Sequence, residues 1–247
     1  MPRKRNLTIS EDTHLRREIC AAGRELRALG FLPAAAGNLS VRFPDGRILA
    51  TPSGAAKGQL RPSDLIRLQA TGEAARGEKH NGSWHRVSSE IAVHLRIYEL
   101  RPDVRAVCHA HPPVATGFAV AGRALDSAAL GEAAILLGAV PLAPYGAPGT
   151  KELADSIAPF VARANAVLLA NHGVVTFGED LRTAVQRMEI VEHCARVVLV
   201  AELAGGAKLL TRAQVRALVA SRERYGLPPF PAGAIPWIVA EDCGGKR

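Results

Sequence analysis

Aromatic residues are scarce: two Trp, three Tyr and six Phe make up 4% of the 247 residues. That scarcity argues against a single-strand nucleic-acid binder built on base stacking. Cysteine is equally thin. Cys20, Cys108, Cys194 and Cys243 are widely scattered and form no Cys-x-x-Cys pair, so a disulfide framework is excluded and a reducing compartment with unpaired thiols is expected. Long apolar runs are missing too. Stretches such as Ala133 to Leu137 and Val197 to Ala201 fall far below the roughly 20 residues that span a bilayer. The basic start, Met1-Pro2-Arg3-Lys4-Arg5, leads into a charged segment rather than an apolar signal core, which points to a soluble, cytoplasmic protein with no membrane partner. No internal repeat and no Pro/Gly/Ser-rich linker divides the chain. One domain is expected over 1–227, followed by a proline-rich tail over 228–247 that begins Pro228-Pro229-Phe230-Pro231.

What is present is ordinary globular composition, 48% hydrophobic and 22% charged. The net charge is 31 − 23 = +8, which leaves an anionic small molecule open as partner. Basic residues are scattered rather than set in one stripe, and no helix-turn-helix, zinc-finger or RNP pattern occurs, so no nucleic-acid partner is expected.

Periodicity organises the chain. Leu15, Ile19, Ala22, Leu26 and Leu29 mark one buried helical face, with Thr8-x-x-Glu11 as a capping box and Gly30 as the stop. Alternating runs Leu39–Phe43 and Arg47–Thr51 flank Pro44-Asp45-Gly46 as a hairpin, and a third strand covers Leu65–Leu68. A polar loop over Arg76–Val87 precedes a helix marked by Ile91, Leu95 and Tyr98. Strand Val104–His111 is stopped by Pro112-Pro113, and a helix follows near Val114–Val120. Thr150–Arg163 reads as a helix with Pro159 against it. Ala166–Ala170 and Val174–Phe177 read as adjacent strands, and helices cover Glu179–Leu203 and Thr211–Tyr225. Interleaved strands and helices give an α/β class, a central sheet between helical layers.

Within this frame, His109-Ala110-His111 puts two imidazoles on one face of a strand end. Such a pair is half of a metal site, or two hydrogen-bonded histidines. Asn171-His172-Gly173, at a strand–strand turn, offers a third imidazole, or a turn residue bonded to its own backbone. Ser88-Ser89-Glu90 opens a helix, where free amide groups bind phosphate; the same residues also suit a serine cap and a carboxylate set against the helix dipole. Gly37-Asn38-Leu39-Ser40 and Thr51-Pro52-Ser53-Gly54 are turn-rich loops with small donors. Lys57, three residues beyond Gly54, is read as solvated, though within reach of a phosphate there. His94 and His193 are read as packing or surface residues on helices, and Cys108 points to the strand face opposite His109.

Together, Gly-Asn-Leu-Ser-Val-Arg at 37–42, Thr-Pro-Ser-Gly at 51–54, Ser-Ser-Glu at 88–90, His-Ala-His at 109–111, Ala-Pro-Tyr at 143–145 and Asn-His-Gly at 171–173 resemble the class II aldolase/adducin family, its L-fuculose-1-phosphate aldolase branch above all. The resemblance implies a three-layer α/β/α fold around a mainly antiparallel sheet, and a homotetramer with a metal site near subunit interfaces. It implies Zn2+, or Mn2+ or another divalent ion, on His109, His111 and His172. Glu90 would be a fourth ligand in the empty enzyme and the acid/base once substrate enters. Gly37, Asn38, Ser53, Gly54, Ser88 and Ser89 would hold the phosphate of a small-molecule substrate, and Tyr225 would reach a neighbouring site as proton donor. The reaction implied is cleavage of a ketose 1-phosphate to dihydroxyacetone phosphate and a small aldehyde. A methylthioribulose-phosphate dehydratase, a 4-phospho-oxotetronate decarboxylase, a 4-epimerase or a non-catalytic adducin-like domain are the alternatives. The chain departs from the aldolase pattern in two places: residues 121–135 contain no tyrosine, with Asp126 and Glu132 their carboxylates and Glu132 the candidate to take part instead, and the tail beyond Tyr225 is longer, with three prolines in Pro228-Pro229-Phe230-Pro231.

Overall fold

The computed structural model describes residues 9–75 and 86–230. The Thr8 end of the expected capping box, most of the 76–87 loop and the tail from 231 lie outside the described residues.

Helix α1 (Ile9–Ala28) runs to a left-handed Gly30. The hairpin β1 (Asn38–Arg42) and β2 (Ile48–Ala50) turns at Pro44-Asp45-Gly46, and β3 (Ile66–Leu68) pairs with β2. Helix α2 (Ile91–Leu100) leads into β4 (Ala106–Ala110), and α3 (Pro113–Val120) starts on the two prolines that end that strand. A short helix α4 (Gly131–Leu136) and a two-residue strand β5 (Leu142–Ala143) occupy the stretch whose pattern had named no element. Helix α5 (Lys151–Val161) continues through Pro159, which forfeits the amide bond to Asp155 O, and ends two residues later. Strands β6 (Ala166–Leu169) and β7 (Gly173–Gly178) precede α6 (Leu181–Leu203), capped by Asp180. The expected Thr211–Tyr225 helix is broken: α7 spans Arg212–Ala220, and a separate 3-10 turn covers Arg222–Tyr225.

The seven strands form one sheet in the order β3-β2-β1-β4-β7-β6-β5. Every pairing is antiparallel except β5 with β6. Strand alternation sends Cys108 and Ala110 into a core with α1, α3 and α6, and Val107 into a second core with α2 and α5. The architecture is therefore three-layer α/β/α. At the end of the described chain Arg222 donates to Pro228 O and lies 3.7 Å above the Phe230 ring, which packs against Gly138.

Candidate functional site

The site grows from the register of the central strands. His109 pairs with Asn38 of β1 on one side and Val175 of β7 on the other. His109 and Asn38 share the face covered by α2, and α2 carries Glu90 at its N-cap and His94 one turn on. His111 lies just beyond β4, its amide bonded to Phe31 O at 2.8 Å. His172 sits in the β6–β7 turn, where Asn171 adopts φ 54, a conformation that asparagine tolerates better than most residues. Gly173 follows for a steric reason. A Cβ there would lie 2.7 Å from both Ala110 O and His111 Cδ2.

The three imidazoles converge, with ring centroids 4.7 to 5.1 Å apart and one ligand nitrogen from each within 4.8 Å of the others. His109 Nδ1 donates to Val174 O at 2.9 Å, so its Nε2 presents a lone pair to the cluster when the ring is neutral. His111 Nε2 is 3.1 Å from that atom. Glu90 closes the group, with Oε2 3.2 Å from His109 Nε2 and Oε1 3.0 Å from His172 Nε2. Burial would raise the Glu90 pKa, but His109 and His172 against it override that effect and hold it well below the usual carboxylate range. Burial, with His109 and His172 beside it, pushes His111 down to about 3, leaving a neutral ring suited to ligation.

Two buried atoms in the cluster have no hydrogen-bond partner, Glu90 Oε1 and His172 Nδ1. Buried polar atoms are rarely left so. Converging nitrogens that cannot all donate to one another, beside an unsatisfied carboxylate oxygen, match the kind of donor set that can hold a divalent cation, three nitrogens and one oxygen. The residues fit the ion. The carboxylate is not a helix cap: α2 has no side-chain cap bond, and Glu90 turns away from its own helix toward the histidines.

Behind Glu90 a directional chain enters the core. Asn38 Nδ2 donates to Glu90 Oε2 at 2.8 Å, and the Asn38 carbonyl oxygen accepts from His94 Nε2. His94 Nδ1 then accepts from Ser40 Oγ (2.7 Å), which accepts from Tyr98 OH (2.8 Å). His94 is 1% exposed, and burial pushes its pKa down to about 3. Periodicity marks His94 as a packing residue; its spacing of four from Glu90 is the signal that it serves the site.

The small-residue loops meet around this cluster. Leu39 N donates to Thr51 Oγ1, Ser53 N to Arg86 O, and Ser88 N to Thr51 O, so the segments at 37–40, 51–54 and 86–89 are stitched together. Gly37 and Gly54 have φ of 69 and 72; a Cβ on Gly37 would lie 2.6 Å from His109 O. Ser88 is buried, whereas Ser89 is exposed and faces Gly149. Tyr225 is not brought into this group. It is 66% exposed and lines a separate cleft with Glu132 and Leu218. Lys57, expected in solvent, is buried instead.

No helix among the described residues is long and apolar enough to cross a membrane. The 3-oxo-tetronate 4-phosphate decarboxylase of Escherichia coli (strain K12) is 36% identical over 191 residues, 75% of this chain and 86% of that protein. The 5-deoxy-D-ribulose 1-phosphate aldolase of Bacillus thuringiensis serovar kurstaki is 32% identical over 215 residues, 85% of this chain and 96% of that one. Among solved structures, an L-fuculose 1-phosphate aldolase superposes with a TM-score of 0.77 at 30% identity, covering 87% of this chain and 97% of its own. Residues 17–199 match the family described as Class II Aldolase and Adducin N-terminal domain, and with the three-histidine cluster in place on that fold the chain belongs to the class II aldolase/adducin family.

Proposed function

We propose that the chain is a divalent-metal-dependent lyase that decarboxylates a small phosphorylated 3-oxo acid, 3-oxo-tetronate 4-phosphate or a close analogue. The observation that carries the lyase reading is the convergence of His109, His111 and His172 on the Glu90 carboxylate. The decarboxylase of Escherichia coli, at 36% identity, supports the choice of reaction. A cation held by these residues would supply Lewis-acid stabilisation of the negative charge that develops on the substrate's oxygens. Zinc suits three imidazoles and a carboxylate, with manganese the alternative.

The chain's own groups divide the remaining work. Gly37, Asn38, Ser53, Gly54, Ser88 and Ser89 hold the phosphate, which fixes the acid end of the substrate toward the histidines. Loss of carbon dioxide leaves a carbanion next to the carbonyl. Glu90, having taken a proton from solvent, delivers it to that carbon, and the product is dihydroxyacetone phosphate. Tyr225 of a neighbouring subunit in a homotetramer adds a proton donor.

Aldol cleavage of a ketose 1-phosphate is the second reading, favoured by the Bacillus thuringiensis aldolase and the fuculose-phosphate aldolase fold. It releases the same three-carbon phosphate and leaves charge on the same carbon. The two reactions differ in the fragment lost. Carbon dioxide departs from a carboxylate with no proton to remove, whereas a hydroxyl must be deprotonated as an aldehyde forms. Residues 121–135 contain no tyrosine to do this. Asp126 there caps a 3-10 turn, and Glu132 is exposed in the Tyr225 cleft. These residues suit a leaving group that needs no base.

The test is to supply the oxo acid phosphate, generated in situ, and to follow carbon dioxide and dihydroxyacetone phosphate by a coupled assay. L-fuculose 1-phosphate and 5-deoxy-D-ribulose 1-phosphate are run in parallel, with metal content measured. Faster turnover of the oxo acid is expected. Faster cleavage of either ketose phosphate selects the aldol reading, and no product from any of the three by metal-loaded protein sinks the lyase.

A further inference from the structure

Lys57 is a buried cation within the electrostatic reach of Glu90 that the proposed mechanism leaves unused. It is 3% exposed, on the 3-10 turn Lys57–Gln59 that follows the Thr51–Gly54 loop. The turn is pressed against α1: a Cβ on Gly23 would lie 2.4 Å from Lys57 O, and one on Gly58 would lie 2.8 Å from the Arg27 side chain. The lysine side chain therefore runs inward, and Nζ donates to Ala35 O at 2.6 Å. That is one of its three donor positions. Among the described residues it has no ion pair.

A buried ammonium without a counter-charge is costly, and proteins seldom keep one unless something anionic arrives. Burial lowers its pKa to about 8, against the opposing field of Glu90. Glu90 does not serve as its counter-ion, since both carboxylate oxygens face His109, His172 and Asn38.

Its position is informative. Ala35 belongs to the turn that enters β1, and Gly37, two residues on, lies against His109 O. Lys57 thus ties the 33–37 turn to the 3-10 turn that follows the Thr51–Gly54 loop. The six residues assigned to the phosphate carry no charge among them, yet a phosphate monoester brings nearly two negative charges at neutral pH. Among the described residues, Arg86 is the other cation joined to these loops, through its carbonyl to Ser53 N, and it is exposed.

We propose that Lys57 is the cationic anchor of the substrate's phosphate, the one charged member of a cradle otherwise made of neutral donors. This rests on the reading that the substrate is phosphorylated, and its test needs no turnover. Inorganic phosphate is titrated calorimetrically into the metal-loaded protein, its Lys57→Met variant and its Arg86→Ala variant, with acetate as the carboxylate control. Lys57→Met should weaken phosphate binding roughly tenfold or more, the scale of a lost charge-assisted hydrogen bond. Its thermal midpoint should stay level or rise, and Arg86→Ala should bind as wild type does. Unchanged affinity in Lys57→Met, loss in Arg86→Ala instead, a lysine effect on acetate but not phosphate, or no phosphate binding by wild type would each overturn the anchor.

Should Lys57→Met fail to fold, the wild-type chain still decides. Phosphate should slow acetylation of Lys57, read by peptide mass spectrometry, at least threefold relative to exposed Lys151; an unchanged ratio overturns the proposal. Phosphate binding through Lys57 in a chain that turns over none of the three substrates would sink the lyase and leave the anchor standing.

Discussion

Glu90 stands where a helix cap belongs, and its neighbours decide that it does something else. A capping carboxylate would bond the α2 amides, but this one faces His109, His172 and the Asn38 amide. Glu90→Gln keeps the shape and loses the proton carrier. Turnover should fall by about 10²-fold or more while the fold is retained. Solvent deuterium exchange into dihydroxyacetone phosphate, followed by NMR, isolates this step, and an undiminished rate in the variant would remove the acid/base role. His94 adds a pH signature. An unfolded histidine takes up a proton below about 6.5, whereas folded His94 stays neutral down to about 3. The unfolded chain therefore binds more protons across that window, and stability falls as pH drops through it, by as much as a few kcal/mol. Urea unfolding at pH 7.5, 6 and 5, at one protein concentration, should show this fall, and His94→Gln should make it shallower by about half, the remainder belonging to His111, which is held at about 3 as well. A parallel fall in the variant would assign the acid sensitivity to other groups.

At the scale of elements, the site is a consequence of strand alternation and of one glycine. Alternation along β4 sends His109 toward α2 and Cys108 toward α6, a division that the sequence pattern already implies. Cross-strand pairing adds Asn38 beside His109, which no local pattern contains, because register is set between strands. Gly173 lets the β6–β7 turn close on the imidazoles. Gly173→Ala would push a methyl group into Ala110 O and the His111 ring, and a displacement of this kind costs about 1–3 kcal/mol. The variant should lose bound metal, by elemental analysis, as fully as His111→Ala does; full occupancy in either would contradict the ligand assignment. His109 and His111 were legible from their spacing, which puts both on one face of a strand end; His172 and Glu90 read equally well as a turn residue and a helix cap, and only the family resemblance set them beside that pair. Lys57 was not legible, since a charged residue in a short polar turn reads as solvated unless the packing of α1 against that turn is known. Strand β5 escaped for a similar reason: two residues make no period, and its place comes from parallel pairing with β6. The break at Ser221 was hidden because Arg222, Glu223 and Arg224 are as compatible with a helix as the apolar turn before them.

The whole molecule raises the question of where Tyr225 acts. In its own chain it lies exposed in a cleft with Glu132, apart from the histidines. Leu199, Val200 and Leu203, along the last turns of α6, are 40%, 65% and 83% exposed, an apolar surface suited to another subunit. Light scattering should therefore give a mass well above the 26.1 kDa chain, and an active monomer at micromolar concentration would refute the assembly. Residence of Tyr225 in a neighbour's site has a sharper consequence. Glu90→Gln and Tyr225→Phe chains should each be impaired alone. Co-expressed in equal amounts, they form mixed rings in which a site is complete when its own chain supplies Glu90 and its neighbour supplies Tyr225. Random assembly makes that combination at about a quarter of sites, so the mixture should regain about a quarter of wild-type turnover. A tyrosine that serves its own chain's site predicts no recovery, because no single chain in the mixture carries both groups. Activity equal to the average of the two variants would therefore place Tyr225 outside the neighbouring site, whatever the mass of the assembly.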